Sequence, residues 1–314
     1  MHKFMAVILI LFSQNLFAEH KLRPIQILQL DWSSQIVLSH VYGELLSRHG
    51  FSIEYLKKNS DSQWFLLSTG KADLQVEVWE GTMAKRFDDL VQRELIIDAG
   101  SHKALTREEW WYPAYVKEQC PGLPDWRALN DCASIFAETI GGPGVYFTGP
   151  WEKPDRARIR ALQLNFTVVE LENSDVLRQK LIEYTSQKRP LLIFNWSPNW
   201  VESVFEGEFV EFPAYEAACE TDRNWGFNKK LVWDCGNPKN GWLKKAVSKE
   251  LAETQPCALA LIESVSLNNK HISDAAKLVD IDHLSPDMAA QQWIRLNQTT
   301  VDNWLSKVNC LSEH

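Results

Sequence analysis

The chain has 314 residues, a formal net charge of −8 and 45% hydrophobic residues. This length and composition fit a globular protein of one large domain or two domains of ordinary size. The acidic balance, with no basic stripe in the sequence, argues against a nucleic-acid partner. Tryptophan is unusually frequent, with 14 indoles beside 7 tyrosines, which is more indole than a core needs for its volume.

The N-terminus has the pattern of a secretory signal peptide. A positively charged start at 1–3 precedes an apolar run at 4–12, and a polar segment then ends in small residues at Ala18. This pattern predicts a signal peptide over 1–18, too short for a membrane span; the competing interpretation is a buried first strand or helix. No cysteine follows the predicted cleavage site, so we expect an exported, soluble chain without a lipid anchor.

Strand-like and helix-like segments alternate through the first part of the mature chain. In order they are a strand at 25–30, a helix at 34–49, a strand at 51–56, a helix at 61–69, a strand at 73–79 and a helix at 82–92. Ser33 or Ser34 can cap the first helix, and Gly50 ends it. The alternation predicts an α/β lobe with a parallel sheet between helices.

A second α/β unit begins near residue 115 and precedes a helical C-terminal part. Its segments are a helix at 124–130, a strand at 134–139, a helix at 153–162, a strand at 166–171, a helix at 174–186 and a strand at 191–195. After a mixed stretch, helices follow at 241–253, 257–264, 269–279 and 287–307. We therefore predict two α/β lobes with a ligand cleft between them, because open α/β sheets bind ligands beyond the carboxyl ends of their strands.

Five aromatic clusters lie close to the ends of predicted strands. They occupy 31–34, 77–81, 110–113, 145–151 and 195–200. Trp32, Trp79 and Trp196 each come at the end of a strand, where a ligand would bind. Several indoles around one cleft attract a quaternary ammonium through cation–π interactions, whereas each indole taken alone could simply be a packed side chain.

Six cysteines fit an oxidising compartment. Sequence alone cannot choose among their pairings, and the least strained local pairs are Cys120–Cys132 and Cys219–Cys235. The remaining two form a third pair, Cys257–Cys310, or stay as buried thiols. No two cysteines have the CxxC spacing of a zinc or thioredoxin-like site, so we expect no metal and no cofactor.

Through motifs in and around these aromatic clusters, the chain resembles the substrate-binding proteins of ABC transporters for glycine betaine, proline betaine and choline. The resemblance covers about 24–305, and its marks are Asp31-Trp32, the stretch 70–79, Trp111-Tyr112-Pro113, Gly142-Pro143-Gly144, the Trp-x-Pro-x-Trp element within 195–200, and 234–238. It implies a two-lobed periplasmic-binding-protein fold of type II, whose lobes close over a ligand in the periplasm.

The resemblance also implies which residues bind the ligand. Trp32, Trp79 and Trp196 match the aromatic cage around a trimethylammonium group in that family. Either Trp111 or Tyr112 is expected to complete the cage, and the sequence does not decide between them.

A glycine-rich loop matches a ligand-contacting loop of the family. It runs over 142–149, includes Gly144, and is joined in the site by either Tyr146 or Trp151. Choline binders of the family carry an acid two residues after the first cage tryptophan, where this chain has Ser34. That departure favours a ligand with a carboxylate over choline.

A ligand carboxylate would need hydrogen-bond donors. Ser33, Ser34 and the backbone amides of 142–144 are candidates, together with the N-terminus of the first helix. Asn195 could line the pocket or orient Trp196, and a cap at the strand end is the competing role.

From these observations we predict the periplasmic substrate-binding component of an ABC importer, binding glycine betaine or a related quaternary ammonium compound. The expected partners are a membrane permease and its ATPase, and the expected state is a monomer. Lobe 1 would comprise 19–111 plus 205–314, and lobe 2 would comprise 112–204. Hinges would lie near 106–112 and 201–213.

Two other functions remain as alternatives. An exported carbohydrate-active hydrolase could use Asp31 and Glu77 as paired carboxylates in a tryptophan-lined cleft, although the sequence has no Gly-x-Ser-x-Gly elbow and no His-Glu-x-x-His pair. A ligand-sensing domain for a membrane receptor would use the same two lobes. Turnover separates the hydrolase from a binding protein, which returns its ligand unchanged.

Overall fold

Two β-sheets, each packed against helices, build the two lobes of the protein. The computed structural model describes residues 23–151 and 153–308. The predicted signal peptide, 1–18, lies outside the described residues. Within the described ranges, no helix is both long and apolar enough to cross a membrane.

The elements largely follow the predicted order. The strands are β1 (Ile25–Gln29), β2 (Ile53–Lys57), β3 (Leu74–Trp79), β4 (Ile96–Ser101), β5 (Thr106–Pro113), β6 (Gly144–Thr148), β7 (Phe166–Glu170), β8 (Ile193–Ser197), β9 (Gly207–Phe209), β10 (Lys239–Gly241) and β11 (Leu243–Ser248). The α-helices are α1 (Ser33–Ser47), α2 (Gln63–Ser68), α3 (Glu80–Gln92), α4 (Ala128–Asp131), α5 (Asp155–Ala161), α6 (Ser174–Ser186), α7 (Ala218–Thr221), α8 (Lys249–Thr254), α9 (Pro256–Ser264), α10 (Asn269–Asp280), α11 (Pro286–Leu296) and α12 (Gln298–Leu305). The strand predicted at 134–139 is wrong: a 3-10 helix at Ala133–Phe136 buries its two end residues there, and β6 follows as the strand. The helix predicted at 241–253 is wrong over its first part, where β11 pairs with β3 and β4, and α8 begins only at Lys249.

Lobe 1 is built on a sheet with the strand order β2-β1-β3-β11-β4. β1 is parallel to β2 and β3, and β11 enters antiparallel between β3 and β4. β3 is buried along its whole length, as expected for a central strand covered on both faces. α1 packs Val37, Val41 and Leu45, spaced four residues apart, into this core.

Lobe 2 is built on a sheet with the strand order β10-β5-β8-β6-β7, and β9 pairs with β5. β6 is parallel to β7 and β8, while β5 is antiparallel to β8 and β9. Its core is aromatic: Trp110 stacks on Tyr146 with ring centroids 4.0 Å apart and meets Phe212 edge to face at 5.3 Å. Bulky rings thus fill the interior of this lobe.

The chain passes between the sheets at 102–105 and again at Trp242, because β4 and β11 belong to lobe 1 while β5 and β10 belong to lobe 2. The predicted boundaries at 111/112 and 204/205 therefore fall inside lobe 2. β5 and β9 pair with each other, and Val210 packs in the second core. We propose lobe 1 as 23–105 plus 242–308 and lobe 2 as 106–241, with the crossing segments as hinges.

Two disulfide bonds cross-link segments within lobe 2. Cys120–Cys132 and Cys219–Cys235 have Cα–Cα distances of 5.4 and 6.2 Å, as predicted from their local spacing. The second bonded segment is held to the lobe by Arg158, whose Nε donates to the carbonyl of Cys235 at 2.8 Å. The predicted pairing Cys257–Cys310 involves Cys310, which lies outside the described residues.

Candidate functional site

Aromatic rings from both lobes surround one cavity of about 300 Å³. The rings belong to Trp32 and Trp79 in lobe 1 and to Trp151, Phe194 and Trp196 in lobe 2. Trp196 meets Trp151 edge to face, with centroids 5.6 Å apart, and lies 5.8 Å from Phe194. Thr82, Met83 and Glu108 complete the lining. We call this set of residues the cage.

The ends of strands place the cage rings. Trp32 follows β1 and is the N-cap residue of α1. Trp79 is the last residue of β3, and α3 begins directly after it. Phe194 and Trp196 stand two residues apart on β8, so their side chains point to the same face of the sheet. The cage thus lies beyond the carboxyl ends of the parallel strands, where this architecture binds ligands.

Glu77 ties the two indoles of lobe 1 together. The indole nitrogens of Trp32 and Trp79 donate to its Oε2 at 2.5 and 3.2 Å, and the Ser34 hydroxyl donates to the same atom at 3.0 Å. Burial raises the pKa of Glu77 to about 7, while the hydrogen bonds from Trp32, Ser34 and Trp79 oppose that rise. The N–H edges of the indoles face Glu77, which leaves their ring faces for the cavity.

Glu108 is the polar group of the cage. It projects from β5 directly opposite Trp196 on β8, and its Oε1 accepts a hydrogen bond of 2.8 Å from the Thr82 hydroxyl across the cleft. Its Oε2 is buried against Gly81 at the start of α3. Burial raises the pKa of Glu108 to about 7, while the Thr82 hydroxyl, the charge of Lys153 and the backbone amides of Gly81 and Thr82 oppose that rise. Near neutral pH this carboxyl can therefore either donate or accept a hydrogen bond.

The ammonium group of Lys153 packs against two rings of the cage. Its Nζ lies 3.8 Å from the ring centroid of Phe194 and 5.0 Å from that of Trp151. The atom is buried, and within the described ranges it has no hydrogen-bond partner. Burial lowers the pKa of Lys153 to about 8. The faces of Phe194 and Trp151 thus contact a positively charged group within the protein itself.

A second cavity of about 440 Å³ adjoins the cage and shares Trp32, Phe194 and Trp196 with it. Ser33 and Asn195 line it, and Asn195 is buried with its Nδ2 atom unpartnered among the described residues. This adjoining cavity therefore offers hydrogen-bond donors beside the cage.

Polar contacts hold the lobes together around the cage. The Ser174 hydroxyl at the start of α6 donates to the backbone carbonyl of Asp31. Arg178 of α6 and Asp280 of α10 form an ion pair of 3.5 Å, and Thr82 bridges to Glu108 near the hinge. Ser174, Arg178 and Asp280 thus join the lobes at the adjoining cavity, and Thr82 and Glu108 join them at the cage.

The structure separates the predicted site residues into three groups. Those in the cage are Trp32, Trp79, Trp151 and Trp196; those beside it are Ser33, Ser34 and Asn195; those in the core of lobe 2 are Trp111, Tyr112, Tyr146 and Gly144. Trp111 packs against Gly207 of β9, and Tyr146 stacks on Trp110. These rings are buried among the other aromatic and aliphatic side chains of the lobe 2 core.

The sequence analysis did not predict that two residues of lobe 2, Phe194 and Glu108, line the cage. Phe194 stands two residues before Trp196, and this spacing alone could have placed it on the same face of a strand. No local signal marks Glu108, because it reaches the cage through the β5–β8 register. Glu77 was noted in the sequence but not as a buried anchor of two indoles.

Two α/β lobes that enclose an aromatic cage define a substrate-binding protein. The family model described as the substrate binding domain of an ABC-type glycine betaine transport system matches residues 23–296. The chain belongs to this family, which confirms the resemblance inferred from its sequence.

Relatives and solved structures agree with this assignment. The chain is 34% identical over 287 residues to the trimethylamine N-oxide-binding protein of Pelagibacter ubique (strain HTCC1062), covering 88% of this chain and 89% of the relative. An ABC-transporter choline binding protein in complex with choline superposes with a TM-score of 0.71 at 15% identity, covering 92% of this chain and 93% of that one. Lactococcal OpuAC in its closed, glycine betaine-bound form gives 0.67 at 17% identity, covering 90% and 99%. These structural matches confirm the predicted two-lobed fold.

Proposed function

We propose that this protein binds a small methylated onium compound, with trimethylamine N-oxide as the first candidate, for import by an ABC transporter. The observation that carries the proposal is the cage itself, with rings from both lobes around one space and a single carboxyl group among them. The relative of 34% identity is named for the same ligand.

The rings supply the affinity. Each desolvated cation–π contact contributes about 1–2 kcal/mol, and burial of methyl groups adds to it. Micromolar binding needs about 8 kcal/mol net, which several rings acting together can reach. Rings on both lobes also make binding favour the closed arrangement, since an open cleft would bring only half of them to the ligand.

Glu108 supports an acceptor oxygen on the ligand. A protonated carboxyl donates a hydrogen bond to an N-oxide oxygen, and the high pKa of Glu108 keeps part of the population protonated near neutral pH. A ligand carboxylate in the same position would place two anions together, which is unfavourable. The N-oxide avoids this repulsion because it carries no net charge.

Glycine betaine is the second candidate, on account of the adjoining cavity. With its trimethylammonium group in the cage, its carboxylate could point toward Ser33 and the unpartnered Asn195 amide. In that orientation Glu108 would contribute little to binding.

The wider setting follows the family. We propose a periplasmic protein that acts as a monomer and delivers its ligand to a membrane permease driven by an ATPase. Family members are substrate-binding proteins, and we propose that this one likewise returns its ligand chemically unchanged.

Calorimetric titration of the mature chain with trimethylamine N-oxide, glycine betaine and choline tests the ligand assignment. We expect the N-oxide to bind most tightly and Glu108→Leu to weaken it at least about tenfold, because the acceptor oxygen loses its donor. Asn195→Ala is the matched variant in the adjoining cavity and should leave N-oxide binding nearly intact. Tightest binding of glycine betaine, with sensitivity to Asn195→Ala and not to Glu108→Leu, would select the second candidate.

A further inference from the structure

We propose that Glu77 is the positioning residue of the cage and that its negative charge, placed behind two cage indoles, strengthens the binding of a cation in front of them. The proposal rests on the proposed function and deepens it, since it links affinity for the onium to the ionisation of one side chain. Glu77 touches no ligand in this scheme; it acts through Trp32 and Trp79.

The hydrogen-bond geometry carries the positioning role. One oxygen, Oε2, accepts from the indole nitrogens of Trp32 and Trp79 and from the Ser34 hydroxyl. An indole N–H is a donor only, so each bond holds the N–H edge of one ring at Glu77, and the side chains packed around each ring complete its orientation. The two indoles come from different elements, α1 and β3, and Glu77 is the shared point that sets them relative to each other.

The charge of Glu77 has no counter-ion in the part of the chain that the structure describes. The residue is 0% exposed, its second oxygen has no hydrogen-bond partner among the described residues, and no described cationic side chain contributes to its pKa. A buried carboxylate without a paired cation is unfavourable. A methylated cation in the cage would supply the missing positive charge through the intervening rings.

Several other titratable groups face this region. Tyr42 of α1 lies in the same core, and the charge of Glu77, after burial, raises its pKa. Asp31 precedes Trp32, Glu80 follows Trp79, and Glu108 and Lys153 belong to the lobe 2 side of the cage. Glu108 has a pKa of about 7, like Glu77, and Lys153 has a pKa of about 8. Glu108 must therefore be replaced before the effect of Glu77 can be measured, and every protein compared below also carries Lys153→Met.

The direction of the pH effect follows from linkage. A bound cation favours the carboxylate over the neutral acid and so lowers the pKa of Glu77. Affinity for a cation is therefore highest above about pH 7 and falls as the pH drops below that value, with proton release on binding. A purely structural role for Glu77 predicts no such dependence.

Tetramethylammonium is the probe, because it carries a permanent charge and has no oxygen. Calorimetric titrations between pH 6 and 8.5 would compare Glu108→Gln with the double variant Glu77→Gln/Glu108→Gln. The glutamine oxygen still accepts an indole N–H but carries no charge. We expect the Glu108→Gln protein to bind about tenfold more weakly at pH 6 than at pH 8. The double variant should bind about tenfold more weakly at pH 8 and lose that pH dependence.

Unchanged affinity and an unchanged pH profile in the double variant would overturn the proposal. If that variant fails to fold, Ser34→Ala decides instead: it removes one of the bonds that stabilise the carboxylate, so the midpoint of the pH profile should move upward. A midpoint that stays in place would contradict the role of Glu77.

A ligand-free measurement separates this proposal from the proposed function. Protonation of Glu77 beside two indoles should change tryptophan emission near pH 7 in the Glu108→Gln protein, and Glu77→Gln should abolish that change. If the chain binds no methylated onium compound, the proposed function is overturned. The emission titration still tests whether protonation of Glu77 changes the environment of Trp32 and Trp79. No emission change would overturn the anchoring role by itself.

Discussion

Removal of the Trp196 indole gives the sharpest test of the cage. Trp196 lines both cavities, meets Trp151 edge to face and lies against Phe194. Trp196→Ala should remove one cation–π contact of about 1–2 kcal/mol and some methyl contact, so we expect Kd to rise about tenfold to a hundredfold, at about 1.4 kcal/mol per tenfold.

The effect of the same change on stability should be smaller than for a core indole. Two aromatic pairs contribute about 0.5–1.5 kcal/mol each, and Trp196 is only partly buried, so the change falls below the 3–5 kcal/mol, roughly, of a fully buried tryptophan. The two pairs together give about 1–3 kcal/mol. At about 2–4 °C per kcal/mol for a domain of 150–250 residues, the melting temperature should fall by about 2–12 °C.

Calorimetry and thermal melts with matched controls measure both quantities. Trp225→Ala removes another partly buried indole, one bonded to Glu216 at 2.9 Å outside the cage, and it should lower stability without changing Kd. A tert-butyl analogue of the ligand has the same shape without charge, and Trp196→Ala should weaken it less than the onium. Unchanged onium affinity in Trp196→Ala, or an equal loss in Trp225→Ala, would refute the reasoning.

Three further predictions address charge and folding. Binding of trimethylamine N-oxide should weaken as the pH rises above about 7, because Glu108 then loses the proton it donates. In a calorimetric pH series, Glu108→Gln should remove this loss of affinity at alkaline pH. If the loss persists in Glu108→Gln, a group other than Glu108 causes it. Lys153→Met should tighten onium binding about twofold to tenfold, since a cation beside the cage repels the ligand; weaker binding would instead mean that Lys153 supports the rings. Replacing Cys219 and Cys235 by serine should reduce the free energy of unfolding by about 3 kcal/mol, given their separation of 16 residues; urea unfolding with an unchanged midpoint would contradict that.

Local patterns in the chain were enough to predict the fold class and the family. The strand-helix alternation of 25–92, the tryptophan that follows β1 and the tryptophan that ends β3 depend on residues close together in sequence. Periodicity, capping residues and turn residues act over a few positions, so they can be read without coordinates. The same holds for Cys120–Cys132 and Cys219–Cys235, whose partners are near neighbours along the chain.

Tertiary structure alone decided which aromatic residues form the cage and what holds them. Trp111 and Trp151 both stand in aromatic-rich segments, yet Trp111 is buried in the lobe 2 core, while Trp151 follows β6 into the cleft. Glu108 reaches the cage only through its register with Trp196 across β5 and β8, residues far apart in sequence. Strand register and the approach of the two lobes are long-range properties, so no local signal could place these side chains together.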